Sequence, residues 1–265
     1  MKKTLISALA LICVCTFILT FSACDIKNDQ KVDSSTTESQ TQSPITEKQI
    51  WLCYTTIIQN EQCKYSYYYD EYGNEIKKVQ EDLSGNFKAE WIYEYDDNQN
   101  LIKTTVDTKE REPFVQLIQI YDDNGNLIEK QVFSLSSESI YTYHYDEQNR
   151  PIYKKNGDEI VERYIYNTDG SYKIQNANLS NEYTLYNADG KIQERHSFDL
   201  KTVYSYNEDG VLLECVTYSG GEITNKTICY LDENGNAIKT SNVNSSGNET
   251  VISESEYRQY TVKVK

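Results

Sequence analysis

Histidine, cysteine, clustered carboxylates and tyrosine are the side chains in this 265-residue sequence whose types and spacing could support chemistry. The two histidines, His144 and His196, lie in strand-like runs, where a lone imidazole is a packed or surface side chain. No nucleophile elbow, P-loop, Cys-x-x-Cys pair or His-Glu-x-x-His run accompanies them, so the expectation is a protein that is not an enzyme and uses no cofactor. The acidic stretches Asp122-Asp123-Asn124-Gly125-Asn126 and Asp232-Glu233-Asn234-Gly235-Asn236 superficially match calcium loops. They lack the glycine at the sixth place and the glutamate at the twelfth that an EF-hand requires. Turn formation accounts for the same residues, and no metal site is expected. Tyrosine is the remaining candidate: there are 24, against six Phe, two Trp and one Met. A phenol can cover a half-buried sheet with its ring while its hydroxyl reaches a polar partner, and a row of such rings can also stack sugars.

The tyrosines belong to a repeated five-residue motif: an aromatic, Asp or Asn, two variable residues, then usually Gly. Its copies begin at Tyr69, Tyr95, Tyr121, Tyr145, Tyr166, Tyr186, Tyr206 and Leu231, at spacings of 26, 26, 24, 21, 20, 20 and 25 residues. Repetition on this scale marks an array whose units bury their faces against neighbours. The Asp or Asn can accept a hydrogen bond from the amide two residues on, and Gly three positions later takes the left-handed conformation, which makes a type I turn followed by a bulge. Gln99 and Asn149 stand where the other copies have Gly, so those two turns are expected to be strained and are the places for a changed loop. Tyrosines alternate before the turns, as in Tyr67/Tyr69, Tyr93/Tyr95, Tyr143/Tyr145, Tyr164/Tyr166 and Tyr204/Tyr206, which puts the rings on one face of each strand. Secondary turns at Asn60, Gly85-Asn86, Gly157, Gly220-Gly221 and Gly247-Asn248 divide each repeat into two strands. About seventeen strands result, too many for a strongly twisted open sheet. The expected fold is all-β, an antiparallel hairpin array forming a curved sheet, a spiral or a barrel-like shell.

Ahead of the array, Lys2 and Lys3 precede an apolar run from Leu5 to Phe21 and then Ser22-Ala23-Cys24, the order of a bacterial secretion signal over residues 1–23. Phe21-Ser22-Ala23-Cys24 resembles a lipobox, a resemblance that implies a diacylglyceryl anchor on Cys24 and attachment to the membrane through that lipid. The other reading of the run is an uncleaved membrane helix. Both place the remainder outside the cytoplasm. Residues 24–49 are rich in Ser, Thr, Gln and charge and form a flexible tether, with one repeat domain over 50–265. Lys2 and Lys3 are the only charges before Cys24, so the remainder holds 24 basic and 41 acidic side chains, a net charge of −17. That field opposes nucleic acid as a partner. Cys53, Cys63, Cys215 and Cys229 invite disulfides in an exported chain, but the turn positions leave neither local pair apposed, so buried thiols are expected.

Tyr-Tyr-Tyr-Asp-Glu-Tyr-Gly-Asn-Glu-Ile at 67–76 and Tyr-Asp-Asp-Asn-Gly-Asn-Leu-Ile at 121–128 resemble the tyrosine-aspartate repeats of the RHS family, over about residues 60 to 260. That resemblance implies β-sheet shells or spirals on exported and surface proteins, with a suggested role in carbohydrate binding. The repeats are also similar to the cell-wall-binding repeats of choline- and glucan-binding proteins, whose cages use Trp, of which this chain has Trp51 and Trp91. The functional expectation is a lipid-anchored extracellular binding or adhesion protein that presents Tyr93, Tyr95, Tyr143, Tyr145, Tyr164, Tyr166, Tyr204 and Tyr206 to cell-wall or host polysaccharide or to a surface protein. The alternative is a structural or assembly component that binds proteins through its sheet edges.

Overall fold

The computed structural model describes residues 46–134 and 136–264. Cys24, the signal-like run and the tether up to residue 45 lie outside the described residues. Eighteen strands form one sheet. They are β1 (Thr46–Ile58), β2 (Cys63–Tyr69), β3 (Glu75–Asp82), β4 (Phe87–Tyr95), β5 (Leu101–Thr108), β6 (Arg111–Tyr121), β7 (Leu127–Phe133), β8 (Glu138–Tyr145), β9 (Pro151–Asn156), β10 (Glu159–Tyr166), β11 (Tyr172–Asn176), β12 (Tyr183–Tyr186), β13 (Ile192–Ser197), β14 (Leu200–Tyr206), β15 (Leu212–Ser219), β16 (Glu222–Leu231), β17 (Ala237–Asn244) and β18 (Glu249–Val264). The strand from Thr46 takes in the last four residues expected in the tether.

Every strand pairs antiparallel with its successor. The last then pairs with the first, from Thr46↔Val264 to Ile58↔Ser253, and the meander closes into a barrel. Closure answers the problem of an exposed strand edge, which would otherwise template pairing with another chain. Of the three shapes expected, the shell is the one formed.

All eight motif turns lie on one rim and share one geometry. In the first, Gly73 N–H donates to Asp70 O at 3.2 Å and Asp70 N–H to Asn74 O at 2.9 Å, while Asp70 Oδ1 accepts from the amides of Tyr72 and Asn74. Gly73 has φ +88°, the left-handed value that closes a type I turn into its bulge. Gln99 and Asn149 enter the same region at φ 70° and 58°. Both turns keep the common hydrogen bonds, so the strained conformation is present but the expected change of loop is not.

Seven of the eight motif hairpins then slip register by one residue, as between Tyr68↔Lys77 and Tyr69↔Glu75. The extra residue is a β-bulge, and it changes which side chains face in. Rings of the alternating tyrosines point inward. The outer face carries exposed Ile92, Ile120, Ile128 and Ile165, with the ion pairs Lys77–Glu90, Lys103–Glu94 and Lys226–Glu214 between them. A lipid-facing belt would not tolerate those charges, so this outer face is built for water.

Strands β1 and β18 are longer than their neighbours. Pairing with β2 covers only Thr55–Ile58 of β1, and pairing with β17 covers only Glu249–Glu254 of β18. The rest is a two-stranded ribbon that folds onto the first motif turn. Lys263 N–H donates to Glu71 O at 2.7 Å, Lys263 Nζ lies 2.5 Å from Glu71 Oε2, and Leu52 and Val262 are buried beneath.

The four cysteines are free thiols. Register explains this: Cys63 faces Ile58 and Asp82, Cys215 faces Tyr204 and Thr227, and Cys229 faces Thr240. The turn before Cys63 spans Gln59–Gln62, so its partner on β1 is Ile58 where a tighter turn would have given Thr56.

Candidate functional site

The inner face gathers aromatic rings, hydroxyls and ionisable groups. Its construction begins with a gap in the ladder. Pairing between β3 and β4 runs to Lys77↔Ile92 and stops before Glu75 and Tyr95. The Tyr95 ring crosses that gap and its hydroxyl donates to Glu75 O at 2.8 Å. The same bond recurs from Tyr69 to Cys53 O at 2.7 Å, Tyr121 to Leu101 O at 3.1 Å and Tyr145 to Leu127 O at 2.8 Å. It recurs again from Tyr166 to Pro151 O at 3.0 Å, Tyr206 to Ile192 O at 2.9 Å and Tyr257 to Ala237 O at 3.3 Å. Each phenol therefore supplies, from a side chain, the donor that the interrupted ladder lacks. Two copies depart from this. Leu231 has no hydroxyl, and the β11/β12 ladder runs through to Tyr172↔Tyr186, whose rings stack at 4.6 Å and 3°.

The eight tyrosines expected to bind ligand all lie on this face, on β4, β8, β10 and β14. Tyr95, Tyr145, Tyr166 and Tyr206 have committed their hydroxyls to the carbonyls above. Tyr93, Tyr143, Tyr164 and Tyr204 sit one pleat deeper. Burial and the Glu75 carboxylate raise the Tyr93 hydroxyl above its ordinary range. Burial and Glu162 push Tyr143 up to about 12. Tyr143, Tyr145 and Tyr164 are within electrostatic reach of one another, as are Tyr67, Tyr93 and Tyr95. Three strands, β5 to β7, lie between β4 and β8, roughly 19 Å of wall at ordinary strand spacing, and Tyr121 on β6 is within electrostatic reach of both sets. The rings thus continue along this part of the wall as one row, from Tyr95 through Tyr121 to Tyr145. Tyr204 is the most deeply set, 9% exposed, while its neighbours on the face remain half-buried. A closed barrel of about eighteen strands is wide enough to hold water, which fits that partial exposure.

Ionisable groups on the wall include two clusters. On β3, burial raises the Glu75 carboxyl and lowers the Lys78 amine, and the charge of each opposes the other's shift. Lys78 Nζ lies 4.4 Å over the Trp91 ring. On β7 to β10, Lys154 Nζ is 2.5 Å from Glu162 Oε1 and 4.9 Å from the Tyr141 ring, with Lys130 nearby. Alternation counted from the tyrosines finds Glu162, two residues before Tyr164, but not Lys78, Lys130 or Lys154, because the bulge after each turn resets which positions point inward.

The remaining candidates are structural. His144 stacks on Tyr153 at 4.3 Å. His196 stacks on Tyr183 at 4.2 Å and meets Glu194 at 2.9 Å. In the calcium-like stretch at Asp122, Oδ1 accepts from the amides of Asn124 and Asn126 and Oδ2 accepts from Asn126 Nδ2 at 2.9 Å. Hydrogen bonds from Asn126 hold that carboxyl below the ordinary aspartate range. Among the described residues no three His, Cys, Asp or Glu side chains converge on a metal-sized site. The residue just after the motif, Asn74, Asn100, Asn126 or Asn236, makes that carboxylate-to-amide bond each time. Its recurrence after Asp was a signal present in the sequence beyond the five-residue motif.

No family model matches the chain, and no curated protein matches it. Among solved structures it is similar to a chain of the TcdB2-TccC3 crystal structure, with TM-score 0.33 and 13% identity, covering 68% of this chain and 13% of that one. It is also similar to a chain of TcdB2-TccC3 without its hypervariable C-terminal region, with TM-score 0.31 and 14% identity over 68% of this chain and 11% of that one. A chain of the Photorhabdus luminescens Tc holotoxin pore carrying TccC3-D651A matches with TM-score 0.30 and 13% identity, covering 67% of this chain and 12% of that one. This chain therefore spans only a small part of the length of each.

Proposed function

We propose that this chain is a tyrosine-aspartate repeat shell of the RHS kind, held at a bacterial surface by a lipid on Cys24, and that it binds polysaccharide against its inner face. The observation that carries the reading is the inward wall of half-buried tyrosines flanked by ionisable groups. Such a wall offers flat apolar faces for sugar rings and polar atoms for their hydroxyls. The test is a glycan array and a cell-wall polysaccharide pull-down with the full chain in detergent. Retention is expected, and Tyr143→Ala combined with Tyr164→Ala is expected to weaken it at least tenfold, about 1.4 kcal/mol. Absence of retention on every polysaccharide would overturn the reading.

A second reading, assembly with a partner protein by strand addition, is favoured by the ribbon alone. Closure removes edges from the barrel wall, but the β1 and β18 segments beyond their neighbours keep unpaired backbone on their flanks. Proteins cross-linked on cells through Thr46–Gln49, with no glycan retained, would favour it.

A further inference from the structure

We infer that the inner wall of β7 to β10 is a subsite for an acidic sugar, with the sugar carboxylate held by Lys130 beside Lys154 and the pyranose lying against Tyr143 and Tyr164. This rests on the polysaccharide reading and narrows it to uronic-acid chemistry.

Register builds the site. Lys130 is opposite Tyr141, Lys154 is opposite Tyr143, and Glu162 is opposite Lys154 on the far side. The group therefore contains two ammonium ions and one carboxylate, and Glu162 is committed to Lys154 at 2.5 Å. A half-buried cation beside a second cation is unfavourable unless an anion joins them. Burial first, then the charge of Lys154, lowers the Lys130 pKa, while Glu162 opposes the shift. The other cluster on this face is a control within the same molecule. There Lys78 meets Glu75 one to one, and no charge is left over.

A sugar carboxylate matches what is missing in charge, and the neighbouring rings match the C–H faces of its pyranose. The acidic outer rim does not forbid it, because exposed charges are screened beyond about 8 Å at physiological ionic strength.

The experiment is calorimetric titration of the full chain in detergent with oligogalacturonate, with its methyl ester and with inorganic phosphate. The acid is expected to bind at least tenfold tighter than the ester. Lys130→Gln should erase that preference, whereas the outer-face Lys88→Gln should leave both acid and ester binding unchanged. Lys130→Met, which keeps the aliphatic bulk, serves the same purpose if the Gln variant folds poorly. Acid and ester binding equally well would sink the inference and leave the polysaccharide reading standing. Binding of phosphate alone would also overturn it, since the sugar would then play no part. If neither acid, ester nor any neutral glycan bound, the broader reading would fail and take this one with it.

Discussion

A tyrosine hydroxyl at the end of a strand does the work of a backbone amide in this barrel. Two substitutions isolate that role with opposite signs. Tyr69→Phe removes the donor to Cys53 O and should lower stability by about 0.5–1.5 kcal/mol, the usual net worth of such a bond. Leu231→Tyr adds a hydroxyl where the β15/β16 ladder stops at Glu214↔Ile228, opposite the carbonyl of Leu212, and should raise stability by a similar amount. Urea midpoints of the two variants against the parent check both. An unchanged midpoint for Tyr69→Phe would show that the ring, not the hydroxyl, is what the position needs. The inner Glu75 and Lys78, which act on each other through their charges, give a third test. Glu75→Gln leaves Lys78 without its counter-charge and should cost about 1–3 kcal/mol, and Lys78→Met added to it should recover most of the loss. Recovery, read from the same midpoints, separates a charge effect from a packing one.

At the scale of the element, the motif turn is a local device and the ribbon laid across it is not. Ala at Gly125 and Ala at Gly73 both force a side chain into the left-handed region and should each cost about 1 kcal/mol. They differ in surroundings. A Cβ on Gly125 meets nothing within 4 Å, whereas one on Gly73 would lie 3.3 Å from both Ile50 Cδ1 and Val262 Cγ1. Gly73→Ala should therefore cost about 1 kcal/mol more, the lower end for overpacking. It should also speed amide exchange at Lys263, whose N–H is tied to Glu71 O. Equal midpoints and unchanged exchange would mean the ribbon is not held there. These elements also mark what the sequence could disclose. The Asp70-to-Gly73 turn was legible because Asx acceptance and a positive φ depend on residues a few places apart. The bulge at Ile76 was not, since one additional residue between two strands leaves no mark in composition. The β1/β18 seam was illegible too, because Thr46↔Val264 joins the two ends of the described chain.

Over the whole molecule, ring closure was among the shapes the strand count allowed but could not be chosen from local pattern, because the curvature of a sheet is the sum of many small twists. The inner lysines were hidden for the related reason that a shift of one residue exchanges the two faces. Closure also sorts carboxyls into two populations with opposite linkage to pH. On the rims, Asp82, Asp122, Asp146 and Asp169 are held below the ordinary value of 3.8 first by side-chain hydrogen bonds from Asn86, Asn126, Arg150 and Ser171. Groups depressed by folding stabilise the fold above their unfolded pKa and cease to do so as pH falls through the folded one. On the inner wall, burial raises Glu75 above 4.5. Its contribution has the other sign, complete below 4.5 and lost as pH rises through the higher folded value. Relief of self-repulsion in a chain of net charge −15 acts in the same direction as Glu75. Stability should therefore climb modestly as pH drops from 7 to about 5 and fall steeply below about 4. Urea midpoints from pH 3 to 7 follow both limbs. The upper limb should flatten in the Glu75→Gln/Lys78→Met pair, while Asp122→Asn should soften only the lower limb. A profile in which both variants moved the same limb would mean that the barrel does not divide its carboxyls between rim and wall in this way.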